Sequence, residues 1–326
     1  MVPVKWGILS TARINGLFLA GARQSPDVEI VAVASRDASR AESYAREQGI
    51  ERAHGSYEAL LDDPDVEVVY ISVPNSMHVE WTVRALEAGK HVLCEKPLSR
   101  RTEDVERAFD TAERHERLLM EAFMYRHNPQ TRRLEELIRS GAVGRLHLVR
   151  ASFSFAAAQP ANIRLSAELD GGALMDVGSY CVNGARLIAG EPVRVSAEQV
   201  IGGDGVDVVF AATMLCPNEV VAHFDAGLAL ATRDELEVVG EDGALFLDDP
   251  WHCRVPVIEL RRDQGVERIE LPVADSYRLE AENMSAAVRG QATPLLGRAD
   301  ALGQARAIEA LYEAADSGQT VTVGRP

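Results

Sequence analysis

The 326-residue sequence predicts an α/β chain of two domains: a doubly wound parallel sheet over residues 1–123, then over 124–326 an α+β domain with a large, open, mostly antiparallel sheet. Three observations predict this. The length exceeds what one typical hydrophobic core organises. Up to about residue 125, short β-branched runs alternate with apolar residues at helical spacing, as βαβ units require. After Pro129 the strand-like runs follow one another across short turns with few intervening helices, the pattern of an antiparallel or mixed sheet.

In the first part, residues 4–9, 29–34, 66–73, 91–94 and 118–122 read as strands. Between them, 15–24, 39–48, 78–88 and 102–114 carry helical periodicity, and Gly49 and Gly89 follow two of these helices where C-terminal caps belong. Beyond Pro129 a helix to about residue 140 leads through Gly141 and Gly144 into a strand at 146–155, a loop and a helix at 172–189. Strands are expected at 193–200, 206–215, 220–225, 235–239, 244–247, 257–260 and 267–271. Two helices, 278–289 and 299–316, close the chain and are compatible with either domain. No repeat and no low-complexity tract interrupts the pattern.

Composition narrows the function. With 46% hydrophobic residues the chain can bury a large core, yet no segment approaches the roughly 20 apolar residues of a membrane helix. The first residues pass directly into a strand-like run without signal-peptide character, so a soluble, cytoplasmic protein is expected. Cys94, Cys181, Cys216 and Cys253 are far apart, which argues for reduced thiols and against a disulfide framework or a zinc site; no metal is expected. A net charge of −16 and a pI near 5.0 oppose binding to a nucleic-acid backbone.

Chemistry concentrates in a few short runs. Only three of the 34 basic residues are lysines, and one of them, Lys96, sits in Glu95-Lys96-Pro97, where an apolar run ends. An arbitrary lysine after a strand is a solvated side chain, but an ammonium can release its proton near neutral pH in a suitable environment and a guanidinium cannot. The turn after the first strand, Ser10-Thr11-Ala12-Arg13-Ile14-Asn15, stands where small residues let backbone amides approach a pyrophosphate. Ser10, Ala12 and Asn15 occupy its three glycine positions, so alone it reads as a plain βα turn. At the end of the second strand, Ser35 followed by Arg36 favours NADP over NAD, since a basic side chain there suits a 2′-phosphate. Ser72-Val73-Pro74-Asn75 ends the central strand and opens toward His78; Asn75 suits an edge of the nicotinamide or its ribose. These runs and the Glu95-Lys96-Pro97 segment form the expected cofactor-binding set.

A second constellation is Gly171-Gly172-Ala-Leu-Met-Asp176-Val-Gly178-Ser-Tyr180. If this run is α-helical, Asp176 and Tyr180 leave one face one turn apart and could serve a proton transfer. Without other evidence, Tyr180 packing in the core and a structural hydrogen bond from Asp176 explain the pair as well. No Tyr-x-x-x-Lys pair, no histidine set with metal-ligand spacing and no Gly-x-Ser-x-Gly elbow occurs.

Glu95-Lys96-Pro97 together with Gly171-Gly-x-Leu-x-Asp176-x-Gly-x-Tyr180 resembles the glucose-fructose oxidoreductase/inositol dehydrogenase (Gfo/Idh/MocA) family over nearly the whole chain. The runs at 6–14, 120–126, 162–165 and 277–280, and Tyr rather than His at 180, look like the branch of NADP-linked D-xylose dehydrogenases and dimeric dihydrodiol dehydrogenases. The resemblance implies a Rossmann domain, a C-terminal sheet that forms a homodimer or homotetramer, and NADP-dependent hydride transfer at a carbinol or carbonyl carbon of a sugar, polyol or trans-dihydrodiol, with an aldose such as D-xylose foremost. It makes Lys96, Tyr180 and Asp176 the catalytic set: Tyr180 exchanges the hydroxyl proton, Lys96 hydrogen-bonds the reacting oxygen, and Asp176 orients the substrate hydroxyl or Lys96. A phenol with a free pKa of about 10 needs such a cationic neighbour to act near neutral pH. Arg126 and Arg164 are the further substrate contacts. The alternative is a sensor of the same fold that binds NAD(P) without turnover.

Overall fold

The structure, a computed structural model, describes residues 2–157 and 162–324. The chain forms two compact units, one of residues 1–99, 103–124 and 275–301, the other of 100–102, 125–274 and 302–326. Where the sequence suggests one division at 123/124, the chain returns to the first unit at Asp275.

In the first unit β1 (Val4–Leu9), α1 (Asn15–Ala22), β2 (Val28–Ala34), α2 (Ala38–Gln48), β3 (Arg52–His54), α3 (Tyr57–Leu61), β4 (Val68–Ile71), α4 (His78–Glu87), β5 (His91–Glu95), α5 (Thr102–Arg114) and β6 (Leu119–Ala122) alternate as expected. All neighbouring strands are parallel, in the order β3-β2-β1-β4-β5-β6. The four residues of β4 are all buried, as a strand covered on both faces must be. Local chemistry sets the ends: Asp37 accepts the Arg40 N–H at 2.8 Å to start α2, and Gly49, left-handed at φ 62°, stops it. The sequence pattern misses β3 and α3; each is too short to display a period, although Ser56 caps α3 by accepting the Ala59 N–H.

The second unit contains α6 (Pro129–Arg139), β7 (Leu146–Ala156), α7 (Ser179–Ala189), β8 (Arg194–Ile201), β9 (Asp207–Leu215), β10 (Val221–Gly227), β11 (Ala229–Gly240), β12 (Ala244–Asp248), β13 (Val257–Arg262) and β14 (Gly265–Glu270). The chain then forms α8 (Ser276–Val288) in the first unit, α9 (Arg298–Ser317) and β15 (Val321–Thr322). Nine strands make one sheet, ordered β14-β13-β12-β11-β7-β10-β9-β8-β15, with β7 and β10 parallel and the remaining pairs antiparallel. Helix α7 packs on β7 and β10 over a core that includes Val149, Phe210, Phe224 and Leu236.

Helix α8 belongs with the first unit for reasons visible in side chains. A Cβ on Gly21 of α1 would lie 2.7 Å from the Arg278 backbone nitrogen, so only glycine lets the two helices meet this closely. Trp6, fully buried in β1, donates its indole N–H to Ser285 at 3.2 Å, and Arg289 pairs with Glu67 at 2.6 Å. Full burial of such an aromatic contributes roughly 2–3 kcal/mol.

Candidate active site

The four strand ends that carry the first unit's candidate residues are neighbours. Because β2, β1, β4 and β5 are adjacent and parallel, Ser35 and Arg36, the turn 10–14, Val73-Pro74-Asn75 and Glu95-Lys96-Pro97 all emerge on the carboxyl edge of one sheet. That edge is where ligands bind in doubly wound folds.

The turn after β1 meets its glycine requirement differently. Ser10 adopts φ 135°, a region costly for a residue with a Cβ. Its hydroxyl lies 2.8 Å from Ser72 Oγ and 3.1 Å from Ser72 O, and accepts the Ala12 N–H at 3.1 Å. Asn15, fully buried, donates to Ser10 O at 2.9 Å and accepts from Ser72 Oγ at 2.6 Å. Hydrogen bonds thus hold the conformation that glycine would supply freely. Helix α1 begins with no capping side chain and no acidic residue in its first turn, so the segment 10–14 fits an anionic pyrophosphate. At the end of β2, burial raises the Tyr57 pKa, while the Arg36 and Arg40 charges near its phenol act in the opposite direction.

Glu95-Lys96-Pro97 is anchored by buried polar groups. Tyr70 donates its phenol to Glu95 Oε1 at 2.5 Å, and burial, then the Glu95 charge, raise the Tyr70 pKa. The Leu98 N–H donates to Glu121 Oε1 at 2.8 Å. His78, the first residue of α4, is 1% exposed, with Nδ1 2.9 Å from Pro97 O and Nε2 2.9 Å from Val73 O. Its ring ties the β4 end to the lysine segment. Lys96 itself is half-buried.

In the second unit, the run expected to be a continuous helix from 172 starts as a five-residue π turn, Leu174–Gly178, before α7. Asp176 lies in this wider turn and Tyr180 is the second residue of α7, so they are not one regular α-turn apart; π turns of this kind concentrate at functional sites. Asp176 accepts from Arg164 Nε at 2.6 Å. The pair forms because Gly171 and Gly172 admit the neighbouring backbone: Gly172 N–H donates to Arg164 O at 2.8 Å, and a Cβ on Gly171 would lie 2.3 Å from that oxygen. Arg126 donates to Asn183 Oδ1 at 3.1 Å, an atom that also accepts the Tyr125 hydroxyl at 2.6 Å. Tyr180, 7% exposed, stands among Tyr125, Phe153 and Trp251 at ring distances of 6.0, 5.5 and 6.1 Å. Of the loop expected between the strand at 146–155 and the helix at 172–189, residues 158–161 lie outside the described residues.

Several groups here escape a reading of the sequence. Asn183 gave no signal beyond standing three residues after Tyr180 on α7. Asp207 accepts the Leu174 N–H at 2.7 Å and the Tyr312 hydroxyl at 3.0 Å. His252 Nδ1 lies 2.9 Å from Asp234 and 3.0 Å from Asp249; burial lowers its pKa, but hydrogen bonds to both carboxylates outweigh that and raise it to about 9. These three side chains have metal-ligand proximity, yet Arg254 donates twice to Asp249, so the carboxylates are balanced by two cations. The cluster is an ionic brace beside Phe153 and Trp251.

Comparison with known proteins shows the family. The profile of an oxidoreductase family with an NAD-binding Rossmann fold, GFO/IDH/MocA, matches residues 4–123, and that of the GFO/IDH/MocA C-terminal domain matches 131–246. A D-xylose 1-dehydrogenase (NADP(+)) of Haloferax volcanii is 38% identical over 97% of this chain and 98% of its own. A trans-1,2-dihydrobenzene-1,2-diol dehydrogenase of Danio rerio is 32% identical over 85% of this chain and 82% of its own. Among solved structures, KijD10, a 3-ketoreductase from Actinomadura kijaniata in complex with NADP and TDP-benzene, superposes with a TM-score of 0.91 at 32% identity, covering 96% of this chain and 98% of that one. Among the described residues, no helix is long and apolar enough to cross a membrane.

Proposed function

The chain belongs to the GFO/IDH/MocA oxidoreductase family, and on that premise we propose that it is an NADP-dependent dehydrogenase/reductase acting on a carbinol or carbonyl carbon of a sugar, polyol or trans-dihydrodiol, an aldose such as D-xylose foremost. The observation that carries this reading is the presence in one chain of Lys96, in a segment anchored by Tyr70, His78 and Glu121, and of Tyr180 with an Arg164-paired Asp176. A sensor that only binds cofactor has no use for a proton-transfer set.

Residues 10–14, Ser35, Arg36, Val73, Pro74, Asn75, His78 and Glu95-Lys96-Pro97 would hold the dinucleotide, Arg36 taking the 2′-phosphate. When bound, the nicotinamide supplies or takes up the hydride. Lys96 hydrogen-bonds the substrate oxygen whose proton is gained or lost, and Tyr180 exchanges that proton through its phenol. Asp176, oriented by Arg164, accepts a hydrogen bond from a substrate hydroxyl. Arg126 and Arg164 donate to other substrate oxygens. The nine-stranded sheet makes a homodimer or homotetramer, and four buried free thiols suit a cytoplasmic setting.

The test is the absorbance of the reduced cofactor on adding D-xylose, other aldoses, polyols, a trans-dihydrodiol and a 3-keto sugar, with NADP(H) and with NAD(H). Turnover of at least one aldose, better with NADP, is expected. Cofactor binding without turnover on any of them overturns the reading in favour of a sensor. Light scattering of the same preparation checks the oligomer.

A further inference from the structure

The helical segment that carries Asp176 and Tyr180 begins on a buried carboxylate. Asp207, the first residue of β9, is 2% exposed, and its two oxygens are divided between the Leu174 N–H (2.7 Å) and the Tyr312 hydroxyl (3.0 Å). Gly172 makes room for it: φ there is 124°, and a Cβ would lie 2.2 Å from Asp207 Oδ1. An anion at this end of a helical segment is favoured by the unpaired amides and the helix dipole. Behind the phenol, the Arg100 guanidinium lies 4.6 Å over the Tyr312 ring and pairs with Asp170 at 2.5 Å. The groups facing Asp207 are the Leu174 amide, its own backbone amide, the Tyr312 phenol and, beyond them, the Arg100 cation with its Asp170 partner.

We propose that Asp207 is a positioning residue for the reaction: its carboxylate anchors the first residue of the π turn and so sets where Asp176 and Tyr180 stand. This rests on the function proposed above. Burial raises the Asp207 pKa to about 6, against the hydrogen bonds from Leu174 and Tyr312. The sign for stability follows from linkage. A carboxyl whose folded pKa exceeds its unfolded value of about 3.9 binds its proton more tightly in the folded state, so acidification through this window favours folding as far as this group is concerned. The same protonation removes the charge that holds the Leu174 amide. Activity and this group's contribution to stability therefore move in opposite directions as pH falls through about 6. A residue needed only for folding would not separate them.

The test uses full-length wild type, D207N and Y312F. In D207N, hydrogen exchange in peptides covering 173–182 is expected to accelerate about tenfold while NADPH affinity and melting temperature hold, with kcat/KM falling roughly 10- to 100-fold and the acid limb of its pH profile disappearing. Y312F removes a donor to the carboxylate and should move that limb to higher pH with the plateau retained. Unchanged exchange at 173–182, or an acid limb that neither variant alters, overturns the proposal. If the wild type turns over no substrate, the functional reading has failed, and the exchange measurement then decides the positioning role alone: acceleration confined to 173–182 supports it, and none overturns it.

Discussion

The Arg164 guanidinium closes on the Asp176 carboxylate, Nε to Oδ2 at 2.6 Å, with Arg164 exposed and Asp176 largely covered. A glycine at 171 lets the Arg164 backbone dock, so the short loop turn and the π turn present an acid and a base together. Replacing Arg164 with Met should raise KM and lower kcat/KM about tenfold, because a charge-assisted hydrogen bond is lost where substrate hydroxyls are to be oriented. Thermal stability should change by about 1 kcal/mol or less, since the Arg164 end of the pair is exposed to solvent. Steady-state kinetics beside a melting curve check both.

Ser10 offers a second test, of the turn after β1. S10A keeps the unfavourable φ of 135° and loses the hydroxyl's contacts to Ser72 and Ala12, whereas S10G loses the same contacts but relieves the backbone. S10G should therefore be more stable than S10A by about 1 kcal/mol in denaturant unfolding. Equal stability would mean that the backbone at Ser10 carries no strain.

Gly184, one turn after Tyr180 on α7, has no room for a side chain. A Cβ on Gly184 would lie 2.8 Å from the Trp251 ring, and Trp251 is fully buried with its indole N–H held by Ser152 O. G184A should cost about 1–3 kcal/mol by overpacking and alter the near-ultraviolet circular dichroism of the Tyr125, Tyr180 and Trp251 cluster.

His91 fixes one pH dependence of the fold. Its Nδ1 accepts the Leu118 N–H at 3.0 Å, and burial, then Arg117, lower its pKa to about 4. A histidine depressed in the folded state is protonated first in the unfolded chain, so its contribution is complete above an unfolded pKa of about 6.5 and is lost as pH falls toward 4. H91N, whose amide oxygen can accept the same N–H, should be less affected by acid. The stability difference between the two proteins should shrink from pH 7 to pH 4, by on the order of 1–2 kcal/mol.

What the sequence revealed, and what it hid, divides along physical lines. Val4–Leu9 and Thr102–Arg114 are long enough for their periods to show, whereas Arg52–His54 and Tyr57–Leu61 are not. Lys96, Asp176 and Tyr180 stand in compact motifs. Asp207 and Asn183 do not, because their partners lie 33 and 58 residues away in Leu174 and Tyr125, and only the fold brings them together. The Gly-Gly pair at 171–172 was visible as a motif, but its purpose is to admit the Arg164 carbonyl and the Asp207 carboxylate, neither of which has a sequence pattern. Ser10 and Asn15 depart from the glycine pattern because a hydrogen-bonded triangle with Ser72 replaces conformational freedom. The π turn likewise has no periodicity that a helix reading of 172–189 would expose.

The most direct measurement is single-turnover hydride transfer by K96M, with cofactor and sugar both saturating. A rate lower than wild type by roughly 100-fold or more is expected of a residue that bonds the reacting oxygen. A near-normal rate in the substrate-saturated variant would remove Lys96 from the mechanism and contradict the proposed chemistry at its centre.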